Sequence, residues 1–235
     1  MSHFQAIIFD FDGVIANSEP LHLNAFQDAL ALEGITLTSE EYYQRYLGYD
    51  DVGLLQALVR DRDMRVGSRY ITDMVTLKGD MLQRMLSTGE VLFPGAAEFV
   101  RQAAKHAPIA IASGAMRNEI LEILDGANLR SLFSVIVAAG DTPQSKPSPA
   151  PYNLAFERLQ QVTNLDLDRW RCVAIEDSRW GLESAQGAGL RRIAVTTSYQ
   201  AHELGDSPEL VVSGLDALTI EMIDELARTY ADGSR

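Results

Sequence analysis

Residues 6–13, AIIFDFDG, press four apolar residues directly against two aspartates one position apart, with a glycine behind them. A continuous apolar run this short, closed by turn-forming residues, reads as a strand buried on both faces. Strands of that kind belong to parallel sheets covered by helices, and such sheets present their functional groups at the carboxyl ends of the strands. Asp10 and Asp12 therefore stand where an α/β protein does its chemistry. Two carboxylates this close repel unless a cation joins them.

Four more apolar runs, 109–112, 135–138, 173–175 and 193–195, alternate with segments of helical spacing. The expected fold class is α/β, a Rossmann-like doubly wound parallel sheet. The stretch from about 20 to 87 differs, because no strand-like run interrupts it. Leu23, Phe26 and Leu30 share one helical face that ends at Gly34, Thr38 and Glu41 offer a capping box, Asp50 is placed to cap the next helix, and a long helical pattern covers 68–86. The expected organisation is a core of residues 1–17 and 88–235 with a helical domain, 18–87, inserted after the first strand. Its two connections, near 16–18 and 87–90, are hinge candidates. The terminal YADGSR is expected to fray.

Charge narrows the partners. Acidic residues outnumber basic ones 33 to 20, a net charge of −13, which argues against a sequence-independent grip on nucleic acid or on anionic membrane. The start, MSHFQ, is unlike a secretory signal, and no apolar stretch approaches a membrane span. The single Cys172 cannot form an intramolecular disulfide and reads as a small buried hydrophobe, so the expected location is cytoplasmic. The four histidines lack metal-ligand spacing, which argues against zinc.

The strand ends carry reactive residue types: Asp10 and Asp12 after the first run, Ser113 and Gly114 after IAIA, Lys146 beyond VIVAAGD, and Glu176 with Asp177 after VAI. At one sheet edge they would supply several carboxylates, a hydroxyl and an ammonium, the makings of a hard-cation site facing a phosphate site. Mg2+ prefers oxygen ligands, keeps waters, and takes one or two carboxylates plus a substrate phosphate. A carboxylate can attack phosphorus to give an aspartyl-phosphate, and a second carboxyl can move the protons. An EF-hand reading of the aspartate pair fails, because a glycine at loop position six would start that loop at Ile8, which has no ligating side chain.

DFDGV at 10–14, SG at 113–114, KPSP at 146–149 and EDSRWGLESAQGAG at 176–189 together resemble the four motifs of the haloacid dehalogenase superfamily, in order. With the helical insertion, the chain is similar to the branch that contains β-phosphoglucomutase and many sugar-phosphate phosphatases. The resemblance implies Asp10 as nucleophile and Mg2+ ligand, and Asp12 as general acid/base that ligates through its backbone carbonyl. It implies Ser113 and Lys146 as phosphate binders, Asp177 as a metal ligand, and Glu176 as an adjacent ligand or a supporting acid. His22, in SEPLH, matches a family histidine near the acid/base and the substrate. Asp12 also favours phosphate esters over carbon–halogen bonds, since a dehalogenase typically lacks the second aspartate.

The expected function is thus Mg2+-dependent hydrolysis of a small phosphorylated metabolite by a monomer or weak homodimer. The alternative is a phosphomutase, which must hold a second phosphate. GYDD, 48–51, has acids where the mutase carries a serine and an arginine, so that role would fall to Arg45 or Arg117. A non-catalytic binding module is a remote third reading, because Asp10, Asp12, Lys146 and Asp177 all retain the required chemistry. Tyr42, Tyr43, Tyr46 and Tyr49 make an aromatic cluster around Arg45, with most rings expected to pack the helical domain itself.

Overall fold

The structure is a computed structural model that describes residues 3–46, 49, 51–86 and 91–228. Gly48 and Asp50 of GYDD, the hinge candidate 87–90 and the terminal YADGSR lie outside the described residues. The chain divides into two compact units, residues 1–17 with 89–235, and residues 18–88.

The larger unit is built on six parallel strands: β1 (Ala6–Phe9), β2 (Ile109–Ala112), β3 (Phe133–Val137), β4 (Cys172–Glu176), β5 (Arg191–Val195) and β6 (Leu210–Val212). Their spatial order is β3-β2-β1-β4-β5-β6. β1 sits between β2 and β4, which explains its unbroken apolar run: all four of its side chains are buried. Ala6 and Ile8 join a core with Tyr152, Ala155 and Phe156 of a helix at Ala150–Thr163. Phe9 meets Phe99, from the helix Ala96–His106, edge-on at 6.1 Å. Residues 8 and 9 of one strand thus pack against helices on opposite faces, and the sheet is doubly wound.

β3 begins two residues before the expected run and stops before Ala138. It is an edge strand, so an exposed Ser134 is tolerated, and the Ala138 N–H donates to Asp141 Oδ2 at 3.2 Å instead of to a ladder partner. β5 opens with Arg191 and Arg192, both paired with Glu209, so its first half hides behind charges. β6 is only three residues long and was not expected.

The smaller unit is helical. In chain order the α-helices among the described residues are α1 (Glu19–Ala31), α2 (Ser39–Glu41), α3 (Asp51–Asp61), α4 (Tyr70–Leu86), α5 (Ala96–His106), α6 (Arg117–Gly126), α7 (Ala150–Thr163), α8 (Arg179–Gly187) and α9 (Ile220–Arg228), of which α1 to α4 belong to this unit. Leu23, Phe26 and Leu30 of α1 do face one core, with Leu54 and Leu58 of α3 and Met74 of α4. Gly34 adopts φ +71° beyond the end of α1. Thr38 Oγ1 accepts the Glu41 N–H, one half of the expected capping box. A π-helical turn at Tyr42–Tyr46 follows, with Tyr42 and Tyr46 buried and Tyr43 exposed.

Candidate active site

Strand order puts the site where it is. The connections from β1 and β4 run to opposite sides of the sheet, so the carboxyl ends of these two neighbours border the crevice at which open α/β sheets bind ligands. Asp10 follows β1 and Asp177 follows β4; the Asp10 N–H donates to the Ile175 carbonyl at 2.9 Å and locks the two strand ends together. Asp10, Glu176 and Asp177 each offer a carboxylate oxygen within 4.8 Å of the others, and all three are buried.

Lys146 joins them from the loop after β3. Its Nζ lies 2.9 Å from Asp10 Oδ1 and 2.6 Å from Glu176 Oε1, and Asp10 Oδ1 also accepts the Phe11 N–H at 2.7 Å. Burial works against the Lys146 charge, yet the Asp10 and Glu176 carboxylates outweigh it and hold its pKa above the ordinary value. Burial pushes the Asp10 carboxyl well up, Glu176 adds to the rise, and Lys146 opposes it. Asp177 is pushed up to about 7, by burial first and Glu176 second, against a hydrogen bond from Ser198.

Glu176, 0% exposed, is the anchor of the group. Its Oε1 accepts from Lys146 and from the Tyr152 hydroxyl at 3.0 Å; its Oε2 accepts from the Asp177 N–H at 3.1 Å, the Ser178 N–H at 3.3 Å and the Ser178 hydroxyl at 3.1 Å. An ionised carboxylate has about four lone-pair positions, so these donors use its capacity in full. Ser178 Oγ in turn accepts the Gly181 N–H at 3.1 Å and caps α8. Two glycines make the room. A Cβ on Gly181 would lie 1.8 Å from Glu176 Oε1, and one on Gly13, whose φ is +77°, would lie 1.8 Å from Asp177 Oδ2. The Gly13 carbonyl accepts from the Thr197 hydroxyl, which ties the β1 loop to the end of β5.

The other expected site residues fall into place unevenly. Asp12 is half-buried in the turn after β1, where its backbone bridges to Ala16; its carboxylate is outside the group of three. Ser113 is buried at the end of β2, beside β1, with its N–H on the Val137 carbonyl and its Oγ accepting the Ala115 N–H. Gly114 is exposed, and a Cβ there would meet nothing, so no steric reason fixes glycine at that position. Arg117 is committed elsewhere: it donates to the Ile136 carbonyl at 3.0 Å and to Asp141 Oδ2 at 2.5 Å, bracing α6 against β3. Arg45 belongs to the helical unit and pairs there with Asp61 at 2.8 Å.

His22 lies in that unit as well, in a buried polar chain that sequence reasoning did not anticipate. Lys78 Nζ, 1% exposed, is 3.0 Å from His22 Nδ1 and 2.8 Å from Asp51 Oδ1. Burial, then the Lys78 charge, lower the His22 pKa to about 4 while Asp51 opposes them. An ammonium donor at Nδ1 leaves the imidazole proton on Nε2. Tyr152, Ser178, Thr197, Ser198 and Gly181 were also unforeseen as supports of the carboxylates. Only Ser178, an N-cap residue directly after a strand and an acid pair, carries a local signal.

A model of haloacid dehalogenase-like hydrolases matches residues 7–195. The chain belongs to that family. Among its relatives, the protein CbbY of Rhodobacter capsulatus is 30% identical, over 94% of this chain and 98% of its own length. A phosphorylated carbohydrates phosphatase of Thermotoga maritima is 30% identical, over 91% of this chain and 93% of its own. Crystal structures of CbbY from Rhodobacter sphaeroides, one in complex with phosphate and one of an Asp-to-Asn variant with xylulose-(1,5)bisphosphate, superpose with a TM-score of 0.74 at 28% identity, covering 90% of this chain and 95% of theirs. The haloacid dehalogenase-like assignment makes the chain a hydrolase. Among the described residues no helix is long and apolar enough to cross a membrane.

Proposed function

We propose that the protein hydrolyses small phosphate monoesters, sugar phosphates above all, through an aspartyl-phosphate on Asp10 with Mg2+ as cofactor. The observation that carries this reading is the buried Asp10–Lys146 contact of 2.9 Å beside Asp177, at the carboxyl end of β1. The phosphatase and CbbY relatives support the substrate class. The donor set fits a hard divalent cation: three buried carboxylates face one ammonium, every donor is oxygen, and burial first, then the neighbouring Glu176 charge, raises the pKa values of Asp10 and Asp177. Asp10, Asp177 and the Asp12 carbonyl would hold Mg2+, which when bound stabilises charge on the phosphoryl oxygens. Glu176, already fully engaged, is assigned to hold Lys146 and the Asp177 backbone in place.

Lys146 fixes the Asp10 carboxylate and, with the Ser113 hydroxyl and neighbouring N–H groups, faces the phosphoryl oxygens. Asp10 forms a bond to phosphorus as the bond to the leaving oxygen breaks, and Asp12 gives that oxygen its proton. Asp12, now a carboxylate, takes a proton from water as the water oxygen attacks phosphorus, and the Asp10 carboxylate departs with inorganic phosphate released. The helical unit is proposed as the cap that selects the substrate, with His22 as a substrate-binding residue. Hydrolysis is favoured over mutase chemistry because Asp51, in the stretch where the mutase carries an arginine, occupies Lys78 instead of freeing it for a second phosphate. A reducing cytoplasm suits the single, buried Cys172.

Asp10→Asn and EDTA treatment of the parent should each abolish release of inorganic phosphate from a generic ester; full activity in either case refutes the covalent, metal-assisted route. Given β-glucose 1-phosphate and a trace of the bisphosphate, the enzyme should release stoichiometric inorganic phosphate. Glucose 6-phosphate formed without it would establish the mutase instead.

A further inference from the structure

Three of the large apolar side chains exposed on the larger unit stand beside site residues. Met116 is three positions past Ser113 on the loop after β2, Trp180 three past Asp177 on the first turn of α8, and Tyr199 follows Ser198, the residue bonded to Asp177, on the loop after β5. These loops leave the same carboxyl edge of the sheet. Single exposed hydrophobics need no explanation, but large ones rooted at a ligand crevice are the usual apolar lining of small-molecule sites. Trp180 is the most firmly held. Ser178 on one side of it bonds Glu176, and Gly181 on the other packs against the same carboxylate, so its backbone is pinned to the catalytic group while its side chain remains 59% exposed. The buried face of α8 is made by Gly181, Leu182, Ser184 and Ala185, so the indole adds nothing to the core under that helix.

We propose that Trp180 is a specificity residue: a stacking platform for a leaving group that presents a flat, C–H-rich ring face. The preferred substrates are therefore phosphate esters of cyclic sugars or comparable rings, in preference to small acyclic polyol phosphates. A ring laid on an indole excludes water from both faces, whereas an acyclic chain must order several torsions to gain the same contact. The proposal rests on the phosphatase reading above.

The test compares kcat/KM for glucose 6-phosphate and glycerol 3-phosphate in the parent, Trp180→Ala and Trp180→Phe. Trp180→Ala should lose about three- to tenfold on the ring ester, through KM, and stay within about twofold on the acyclic one, while Trp180→Phe recovers most of the loss. Equal losses on both esters, or none on either, overturn the proposal. A second measurement does not need turnover. Trp170, the other tryptophan, sits before β4 at the opposite end of the strand, so in a Trp170→Phe, Asp10→Asn protein the emission reports Trp180 alone. That emission should respond to glucose 6-phosphate and not to glycerol 3-phosphate. Ring-selective emission without hydrolysis in the active parent would sink the phosphatase reading and keep the platform; hydrolysis with flat emission would do the reverse.

Discussion

Replacing Gly181 by alanine sets two magnitudes against each other. The residue lies inside α8, where alanine is favoured over glycine by about 0.8–1 kcal/mol, and its φ is not positive, so backbone preference alone makes Gly181→Ala stabilising. The Cβ, however, would lie 1.8 Å from Glu176 Oε1 and 1.9 Å from its Cδ, so the end of that fully buried side chain must shift. The Glu176 carboxylate must leave its donors, and Lys146 then loses its 2.6 Å partner. Breaking a buried ion pair costs about 3–5 kcal/mol. The net expectation is a loss of about 2–4 kcal/mol, equivalent to a fall in Tm of about 5–15 °C, with phosphatase activity lost as Lys146 is misplaced. Gly79→Ala is the control. It is the same substitution inside α4, at an exposed position where a Cβ meets nothing within 4 Å, and it should gain about 0.8–1 kcal/mol. Urea unfolding of both variants with a phosphate-release assay decides the matter. A Gly181→Ala protein as stable and active as the parent would refute the idea that glycine is there to admit the Glu176 carboxylate.

Gly13→Ala should weaken Mg2+ binding, measured by calorimetry, by at least about tenfold: alanine at φ +77° costs about 1–2 kcal/mol and its Cβ displaces the Asp177 carboxylate; unchanged affinity would remove Asp177 from the metal site. Asp177, with a folded pKa near 7 against an ordinary 3.8, binds its proton more tightly in the folded protein, so its contribution to metal-free stability falls as pH rises from about 4 through 7. Mg2+ should therefore raise Tm more at pH 8 than at pH 5, and Asp177→Asn should flatten the metal-free pH slope; a metal-free slope unaffected by that substitution contradicts the assignment. His22 should titrate near 4 by NMR, staying neutral at physiological pH, and Lys78→Met should move the midpoint upward; a midpoint at the ordinary 6.5 in the parent would exclude the Lys78 contact.

The sheet was legible in the sequence because a strand buried on both faces must be apolar throughout, as β1 is, and because reactive residues, Asp10, Ser113 and Glu176 with Asp177, stand directly after such runs. What stayed hidden was hidden for local reasons. β6 is three residues long, β5 begins with two arginines whose charges are answered by Glu209 from another segment, and β3 lies at an edge where an exposed serine does no harm. Tyr152 carries no local signal in the chain, and its hydroxyl bond to Glu176 spans a sequence separation of 24 that no motif encodes.

The acid pair Glu176–Asp177 shows how far residue type can go. As letters the two are near equivalents, each able to ligate a cation. The fold separates them through donors drawn from three places: Lys146 from the loop after β3, Tyr152 from α7, and the N-terminal turn of α8. Those groups saturate Glu176 and leave it a fixed counter-charge for Lys146. Asp177, buried beside that charge with fewer donors, is left with a raised pKa and, of the pair, is the carboxylate open to a cation. Exchanging the pair, Glu176→Asp with Asp177→Glu, keeps every charge but shortens the anchor and lengthens the ligand. The double variant should lose both the Lys146 contact and the metal, and a fully active one would show that the division between anchor and ligand is not fixed by this geometry.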